Sequence, residues 1–503
     1  MKLGELLRGV PAIAVGAEPP LEITSLAYDS RRAEPGTLFF AIHGEKADGH
    51  DFIASALERG AVAIASERPA PVELAARWIQ VPAIRRALSE AARAFFGRPD
   101  SQLQLIGITG TNGKTTTAFL LESVLRAAGI PAGLFGTIEY RLGEKVLPAV
   151  NTTPESLDLI SYFAELVRAG AKAVVMEASS HALAQERLWG FYFSAAVFTN
   201  LTRDHLDYHK DFEHYFAAKR RLFEGLGVPP PELAVINAND SWGLKLLAVP
   251  NPRRTTYGLN SEAQVRVKQF TQNLSGLEAT LLTPEGKFDI QSSLVGRANL
   301  ANILAAVATG IGLGLPLENI QQGIANLRAV AGRFERIDEG QPFLVVVDYA
   351  HTDDALRNVL NTARELTRDR LIVVFGCGGD RDRTKRPLMG EAAGSLADFV
   401  VLTSDNPRSE DPISIMNDAL VGLQKTRKAY IAESDRAEAI RKALTDARQG
   451  DVVVVAGKGH ETYQILKDQT IPFDDREVVR RILRELGYTL EAVGNRQGKP
   501  ARR

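Results

Sequence analysis

The sequence predicts an α/β protein of three domains. Three observations carry this. The chain has 503 residues, and at roughly 150 residues per domain that length makes about three units, each able to bury its own core. A buried strand at 103–109 runs through a glycine-rich loop straight into an amphipathic helix. From about residue 334 apolar strands alternate with helical stretches, the beat of a doubly wound parallel sheet.

Composition narrows the classes. Hydrophobic residues make up 45% and charged residues 24%, which excludes collagen-like, disordered and coiled-coil chains. Lys plus Arg total 60 against 61 Asp plus Glu, a net charge of -1, so no global basic field is available for nucleic acid. No apolar run approaches the roughly 18 residues that cross a bilayer. The apolar run at the start is too short for a signal peptide. Cys377 is the single cysteine, so no intrachain disulfide forms and a cytoplasmic protein is expected. No membrane insertion is expected.

Residues 1–98 read as a small α/β unit. Pro35-Gly36 turns the chain into the apolar run 37–42. A short helix at 51–59 is stopped by Gly60, and 61–65 is a buried strand. The helix at 83–96 ends at Gly97 and Pro99, the first boundary. In the second unit, 99–333, Leu121, Val124, Leu125 and Ala128 share one face of the helix after the loop, with Gly129 at its C′ position. Buried strands are expected at 173–176, 195–199 and 234–236, β-rich structure at 253–294 and a helix at 299–312. In the third unit, 334–489, strands end near Val347, Phe375, Thr403, Ala432 and Ala456. Each runs into a polar loop: DYAHT, GCGGDRD, SDNPR, ESDR and GKGHE. Ligands of such sheets bind beyond the carboxyl ends of the strands. The tail 490–503, with Arg496, Lys499, Arg502 and Arg503, is expected to be disordered.

The chemistry starts at Gly110, Thr111, Asn112, Gly113, Lys114, Thr115 and Thr116. Glycines admit phosphate oxygens to backbone N–H groups, and the helix N-terminus adds its positive dipole end. Lys114 can reach the β- and γ-phosphates, and the Thr115 hydroxyl can ligate Mg²⁺. Ile108 stands where the usual G-x-x-x-x-G-K-[ST] spacing has its first glycine. Four of the eight histidines fall between 181 and 214: His181, His205, His209 and His214. The i, i+4 spacing of His205 and His209 could suit zinc. Glu177, Asp204 and Asp207 are oxygen donors, however, and downstream of a phosphate loop they favour a hard Mg²⁺ site. His209 and His214 are then structural. Taken alone, Lys219 reads as a surface lysine on a helix, and Cys377 as packing at a tight turn.

TGTNGKTTT, NTTPES, MEASSHAL, TNLTRDHLDYH, AKRRLF, DYAHT, GCGGDRDRTKRPLMG, DNPR and GKGHE occur in this order. As a set they resemble the Mur ligase family of bacterial cell-wall synthesis, over nearly the whole chain. The resemblance implies a UDP-sugar-binding N-terminal domain, a central ATP-binding domain built on a parallel sheet of P-loop ATPase type and a Rossmann-like C-terminal domain that binds an amino acid. It implies an ATP-dependent, ADP-forming ligase that needs Mg²⁺. Such an enzyme adds meso-diaminopimelate to the D-Glu γ-carboxylate of UDP-N-acetylmuramoyl-L-alanyl-D-glutamate, through an acyl phosphate. Small-molecule substrates are its expected partners, and a monomer its expected state.

Residue roles follow from the same resemblance. Ser30 matches a uridine-side contact, with Glu45-Lys46-Ala47 in the nearby loop. Asn151, Thr152, Thr153, Ser179, Gln185 and Arg187 match substrate-positioning residues. Glu177 and His205 match magnesium ligands, and Lys219 the lysine that the family carries as a carbamate. Asn299, Arg333 and Asp348 match residues around adenine and ribose. Arg381, Asp405, Asn406, Pro407, Arg408, Gly457 and Glu461 match those that hold diaminopimelate. Three other readings compete: a folylpolyglutamate synthase, a lysine-adding ligase and a nucleotide switch without ligase chemistry. The N-terminal domain, NTTPES and DNPR disfavour the first, and DNPR the second.

Overall fold

The computed structural model describes residues 1–17, 20–44, 47–259 and 262–489. Glu45, Lys46 and the tail 490–503 lie outside them. Three principal sheets order the described residues, each with helices packed on it. The first runs Ala14–Val15, Trp78–Gln80, Ala61–Ser66, Thr37–Phe40, Ser25–Ala27, parallel except at its first strand. The segment expected as one helix at 51–59 is a 3₁₀ turn, Gly49–Phe52, followed by the helix Ile53–Glu58. Asp48 accepts from the His50 N–H at 3.0 Å and so caps that turn.

The central sheet has eleven strands and is mixed, a correction to the parallel sheet expected. Its middle, from Val265–Asn273 to Ala132–Phe135, is parallel. Antiparallel hairpins extend it at both ends. The β-rich stretch expected at 253–294 is largely one of these extensions. Hairpin alternation does not reveal which sheet a ribbon joins, because that depends on a distant edge strand. Gln104–Thr109 lies at the centre, between Ala195–Phe198 and Ala173–Glu177. The chain leaves this strand to pair on both sides, which opens a crevice at its carboxyl end. The strand is apolar and buried because both faces are covered. Helices Lys114–Ala127 and Arg297–Gly312 pack on one face. Ser156–Arg168 and Phe212–Glu224 pack on the other.

The third sheet runs Glu335–Ile337, Leu344–Asp348, Val452–Ala456, Leu371–Cys377, Phe399–Ser404, Tyr430–Ala432. Five strands are parallel, and Glu335–Ile337 is an antiparallel edge. Helices cover both faces, as the doubly wound reading requires. Cys377 ends a strand rather than forming a tight turn. It is buried against Met389 Sδ at 3.7 Å, and burial pushes its thiol up to about 12. No helix among the described residues is long and apolar enough to cross a membrane.

The ESDR loop ends inside this domain. Arg436 and Asp475 are both 0% exposed and form a bidentate pair at 2.8 and 2.6 Å. Arg436 also donates to Ala456 O at 3.0 Å and Ser404 O at 3.4 Å, tying two strand ends together. Asp475→Ala would leave a buried guanidinium without its counter-charge, a loss of about 3–5 kcal/mol. The expected result is a clearly lower urea midpoint for the third domain. An unchanged midpoint would show that the pair is dispensable.

Candidate active site

The phosphate loop is braced by the segment that follows Ala195–Phe198. Thr111 N–H donates to Asn200 O at 2.8 Å, and Asn112 N–H to Asn200 Oδ1 at 2.9 Å. The Thr199 hydroxyl donates to Asn112 O at 2.7 Å. Two glycines are required by space as well as by conformation. Gly110 has φ +145° and Gly113 φ +87°. A Cβ would stand 1.8 Å from Thr199 Oγ1 at the first and 2.3 Å from Asn302 Oδ1 at the second. The tight turn therefore falls at Gly110, two residues after the Ile108 that breaks the usual spacing. Gly113 opens helix Lys114–Ala127 with no side-chain cap, leaving the first N–H groups for an anion.

A cavity of about 250 Å³ lies over this loop. Thr111 through Thr116, Thr152, Glu177, Ser179, His205, Lys219, Asn299, Arg333 and Asp348 line it. The sequence motifs that supply these residues are thus brought to one place. Lys114 Nζ donates to Gly110 O at 2.9 Å and Thr111 O at 2.8 Å. Burial lowers its pKa, helped by Arg333 and opposed by Glu177 and Asp204. Arg333 donates to Thr115 Oγ1 at 3.1 Å and lies 4.6 Å over the Tyr349 ring. Its guanidinium is therefore at the phosphate side of the cavity. Asp348 accepts from Phe334 N–H at 2.6 Å and Ala350 N–H at 2.8 Å, and Asn299 donates to Val295 O at 2.8 Å.

Lys219 overturns its reading as a surface lysine. It is 1% exposed, because Phe212–Glu224 turns this face onto the central sheet. Its Nζ donates to Gly110 O at 2.7 Å and lies 4.3 Å from the Tyr215 ring centroid. Burial pushes the amine well below its ordinary pKa, and Lys114 adds to the shift. Glu177 ends its strand with Oε1 accepting from Thr137 N–H at 2.9 Å. His205, at φ +52°, starts the short helix Leu206–His209. Its Nε2 is 3.3 Å from Asp204 Oδ2. Burial drives its ring down to about 3, against the pull of Asp204, so it presents a neutral imidazole. His209 does not join it as a zinc pair: its Nε2 meets Ser180 Oγ at 2.9 Å. His214 caps with Asp211 at the start of the next helix.

The substrate-positioning matches form a connected wall. Thr153 Oγ1 donates to Glu177 O at 2.7 Å, and Ser179 N–H donates back to Thr153 Oγ1 at 3.0 Å. Thr152 Oγ1 is 3.1 Å from Thr137 Oγ1, and Asn151 N–H donates to the Tyr140 hydroxyl at 2.9 Å. Arg187 donates to Thr153 O and to Gln185 Oε1, both at 2.8 Å. Ser30 is elsewhere, buried in the N-terminal unit. That unit is fastened to the central one by Arg32–Asp158 at 2.6 Å and Arg86–Glu186 at 2.6 Å.

A second cavity of about 160 Å³ opens beyond the third sheet, lined by Arg381, Asp405, Asn406, Arg408, Gly457 and Glu461. It shares Asp204, His205, Tyr349 and His351 with the first, so the two meet. Arg408, at φ +53°, does not pair with Glu410 or Asp411. It donates to Gly379 O at 2.7 Å, while Arg386 takes Glu410 and Asp411 caps a helix. Burial and Arg381 lower the Arg408 pKa, with Asp405, Glu461 and Asp380 opposing. The hairpin Tyr463–Leu466/Gln469–Pro472, which sequence reasoning missed, holds this wall. Arg408 N–H donates to Ile465 O at 3.1 Å, and Gln464 Nε2 to Asp405 O at 2.6 Å. Also unassigned were His351 and Lys385, which line the junction beside the expected oxygen donor Asp204. The dense charge of DYAHT and GCGGDRDRTK was their only signal.

Models of the Mur ligase family match in chain order. The Mur ligase family catalytic domain covers residues 22–96, the Mur ligase middle domain 108–310, and the Mur ligase glutamate ligase domain 332–459. A UDP-N-acetylmuramoyl-L-alanyl-D-glutamate--2,6-diaminopimelate ligase from Solibacter usitatus is 59% identical over 490 residues, 97% of this chain and 99% of the relative. The chain belongs to the Mur ligase family. A ligase of the same name from Geobacter metallireducens is 47% identical, covering 97% of this Mur ligase and 99% of its own length. A solved structure of such a ligase aligns with TM-score 0.68 at 34% identity, over 97% of this chain and all of that one. A Mycobacterium tuberculosis folylpolyglutamate synthase complexed with ADP and AMPPCP aligns with TM-score 0.60 at 19% identity, over 75% of this chain and 93% of its own. It shares the fold alone. This Mur ligase is an ATP-dependent amide ligase.

Proposed function

We propose that this enzyme joins meso-diaminopimelate to the D-Glu γ-carboxylate of UDP-N-acetylmuramoyl-L-alanyl-D-glutamate, in peptidoglycan synthesis. One observation carries the reading: the phosphate-loop cavity opens into a pocket whose far wall sets Arg381 and Arg408 beside Asp405 and Glu461. That pocket suits a zwitterion with a second carboxylate. A carboxylate is a poor acyl donor, so ATP activates it. The γ-carboxylate attacks the γ-phosphate to give an acyl phosphate and ADP. The incoming amine then attacks the acyl carbon, and phosphate leaves.

Two anions meet in the first step. Lys114, the N–H groups that open its helix and Arg333 offset their repulsion. Thr115, Glu177 and His205 suit Mg²⁺. Among the described residues no group of three His, Cys, Asp or Glu could hold an ion alone. That fits an ion which keeps waters and binds mainly through substrate phosphates. Bound there, Mg²⁺ supplies positive charge to the transferring phosphoryl group. Asn299 and Asp348 hold the nucleoside, and Ser30 the uridine end. Asn151, Thr152, Thr153, Ser179, Gln185 and Arg187 orient the peptide, and Arg381, Asp405, Asn406, Pro407, Arg408, Gly457 and Glu461 the amino acid.

The test is product mass with a panel of amino acids, ATP and the UDP-linked dipeptide. A product heavier by one diaminopimelate residue, and phosphate release only with all three substrates, is expected. Release of phosphate with no amide product would contradict the reading.

A further inference from the structure

The GKGHE motif holds a charge that the pocket does not use directly. Lys458 is 0% exposed, behind the wall formed by Asp405, Asn406 and Glu461. Its Nζ lies 3.1 Å from Asn406 Oδ1, 3.2 Å from Glu461 Oε2 and 3.6 Å from Asp405 Oδ1. Two of the ammonium's three N–H donors are spent on Asn406 and Glu461, and Asp405 Oδ1 stands beside it at ion-pair distance. Asn406 closes the set by donating to Glu461 Oε2 at 2.8 Å. Asp405 Oδ1 is buried and has no hydrogen-bond partner.

Two carboxylates facing one buried pocket repel. Without a counter-charge one of them takes up a proton. Burial and Asp405 raise the Glu461 pKa, while Lys458 and Asn406 oppose them. The other charged or titratable groups facing the pair are Arg408, Arg436, Tyr349, Tyr463 and the Cys377 thiol. Arg408 rests on Gly379 O and, in the proposed function, faces the incoming amino acid. Arg436 is neutralised by Asp475. Lys458 is the cation in contact with the acid pair itself.

We propose that Lys458 is a positioning residue for the amino-acid pocket: its buried ammonium holds Asp405 and Glu461 together as an ionised pair that receives an ammonium group of the incoming amino acid. The proposal rests on the reading of this pocket as the diaminopimelate site. It explains why a lysine is buried where it touches no substrate. A compact point charge on a flexible stem can sit between two converging carboxylates and an amide, where a planar guanidinium would not fit.

The test compares the KM for diaminopimelate and for ATP between pH 6 and 8.5, in wild type, Lys458→Met and Lys458→Gln. Either folded variant decides. The expected result at pH 7 is a KM for diaminopimelate raised about tenfold or more, from losing the ionised partner of a buried charge. That KM should fall again as pH rises, because the acid pair regains its second charge. The KM for ATP should stay within about twofold, and the wild-type KM for diaminopimelate should be flat over this range. In Lys458→Met, Glu461→Gln the pH dependence should vanish, since one carboxylate no longer faces another. A diaminopimelate KM unchanged in both single variants, or raised equally with that for ATP and independent of pH, would overturn the proposal. Failure of wild type to ligate diaminopimelate would instead remove the reading beneath it.

Discussion

Lys114→Ala is expected to lose at least about 10²–10³-fold in kcat, the cost of removing one donor aimed at charge that develops in a transition state. Lys114 Nζ rests on Gly110 O and Thr111 O, two acceptors that cannot neutralise it. It is therefore poised to exchange them for phosphate oxygens, a charge-assisted and stronger contact. Thermal stability should change little, because the deletion breaks only those two contacts within the loop. Phosphate release and a melting curve on the same preparation check both statements. Full turnover in this variant would contradict the role given to the phosphate loop.

Lys219→Ala is expected to be nearly inactive, with a loss of about 10²-fold or more, comparable to loss of a metal-orienting partner. An amine buried beside Lys114 pays for its charge, and both effects favour the free base. The free base can attack CO₂ at carbon, forming an N–C bond and releasing a proton. The resulting carbamate is an anion beside Lys114 and an oxygen donor of the hard type Mg²⁺ prefers. The amine would lose its bond to Gly110 O and gain a counter-charge in Lys114. Acetate or another short carboxylate should partly restore Lys219→Ala. Carbon NMR of enzyme supplied with ¹³C-bicarbonate should show one slowly exchanging carbamate in wild type and none in the variant. A bare amine in fully active enzyme would contradict this.

The parts of the site that lie close together in the chain were legible from residues alone. The phosphate loop has strand, glycines, Lys-Thr and helix in one short run, and local geometry dictates the rest. The strand ends of the third sheet were legible for a similar reason: apolar runs stop where polar loops begin. Burial created across long separations was not legible. Lys219 meets Gly110 109 positions away, and nothing in AKRRLF tells which face of its helix is covered. Lys458 and Asn406 are 52 positions apart. The hairpin after GKGHE has two strands of four residues each and is exposed in part, too short for alternation to give a signal. The mixed central sheet escaped because edge strands choose partners by tertiary packing, not by their own pattern.

The central claim is that the pocket beyond the third sheet selects diaminopimelate over L-lysine through Arg408. The two amino acids differ by one carboxylate at the far end. A guanidinium matches a planar anion in two places, and Lys, Asn or Ala cannot. With lysine bound, Arg408 would be left against Gly379 O with no carboxylate in hydrogen-bond contact. Losing a partner of such a pair costs roughly 2–5 kcal/mol. The decisive measurement is kcat/KM for both amino acids in wild type and Arg408→Ala. The account predicts a loss of at least about thirtyfold for diaminopimelate, at about 1.4 kcal/mol per tenfold, and a far smaller loss for lysine. Equal losses for the two amino acids would contradict it.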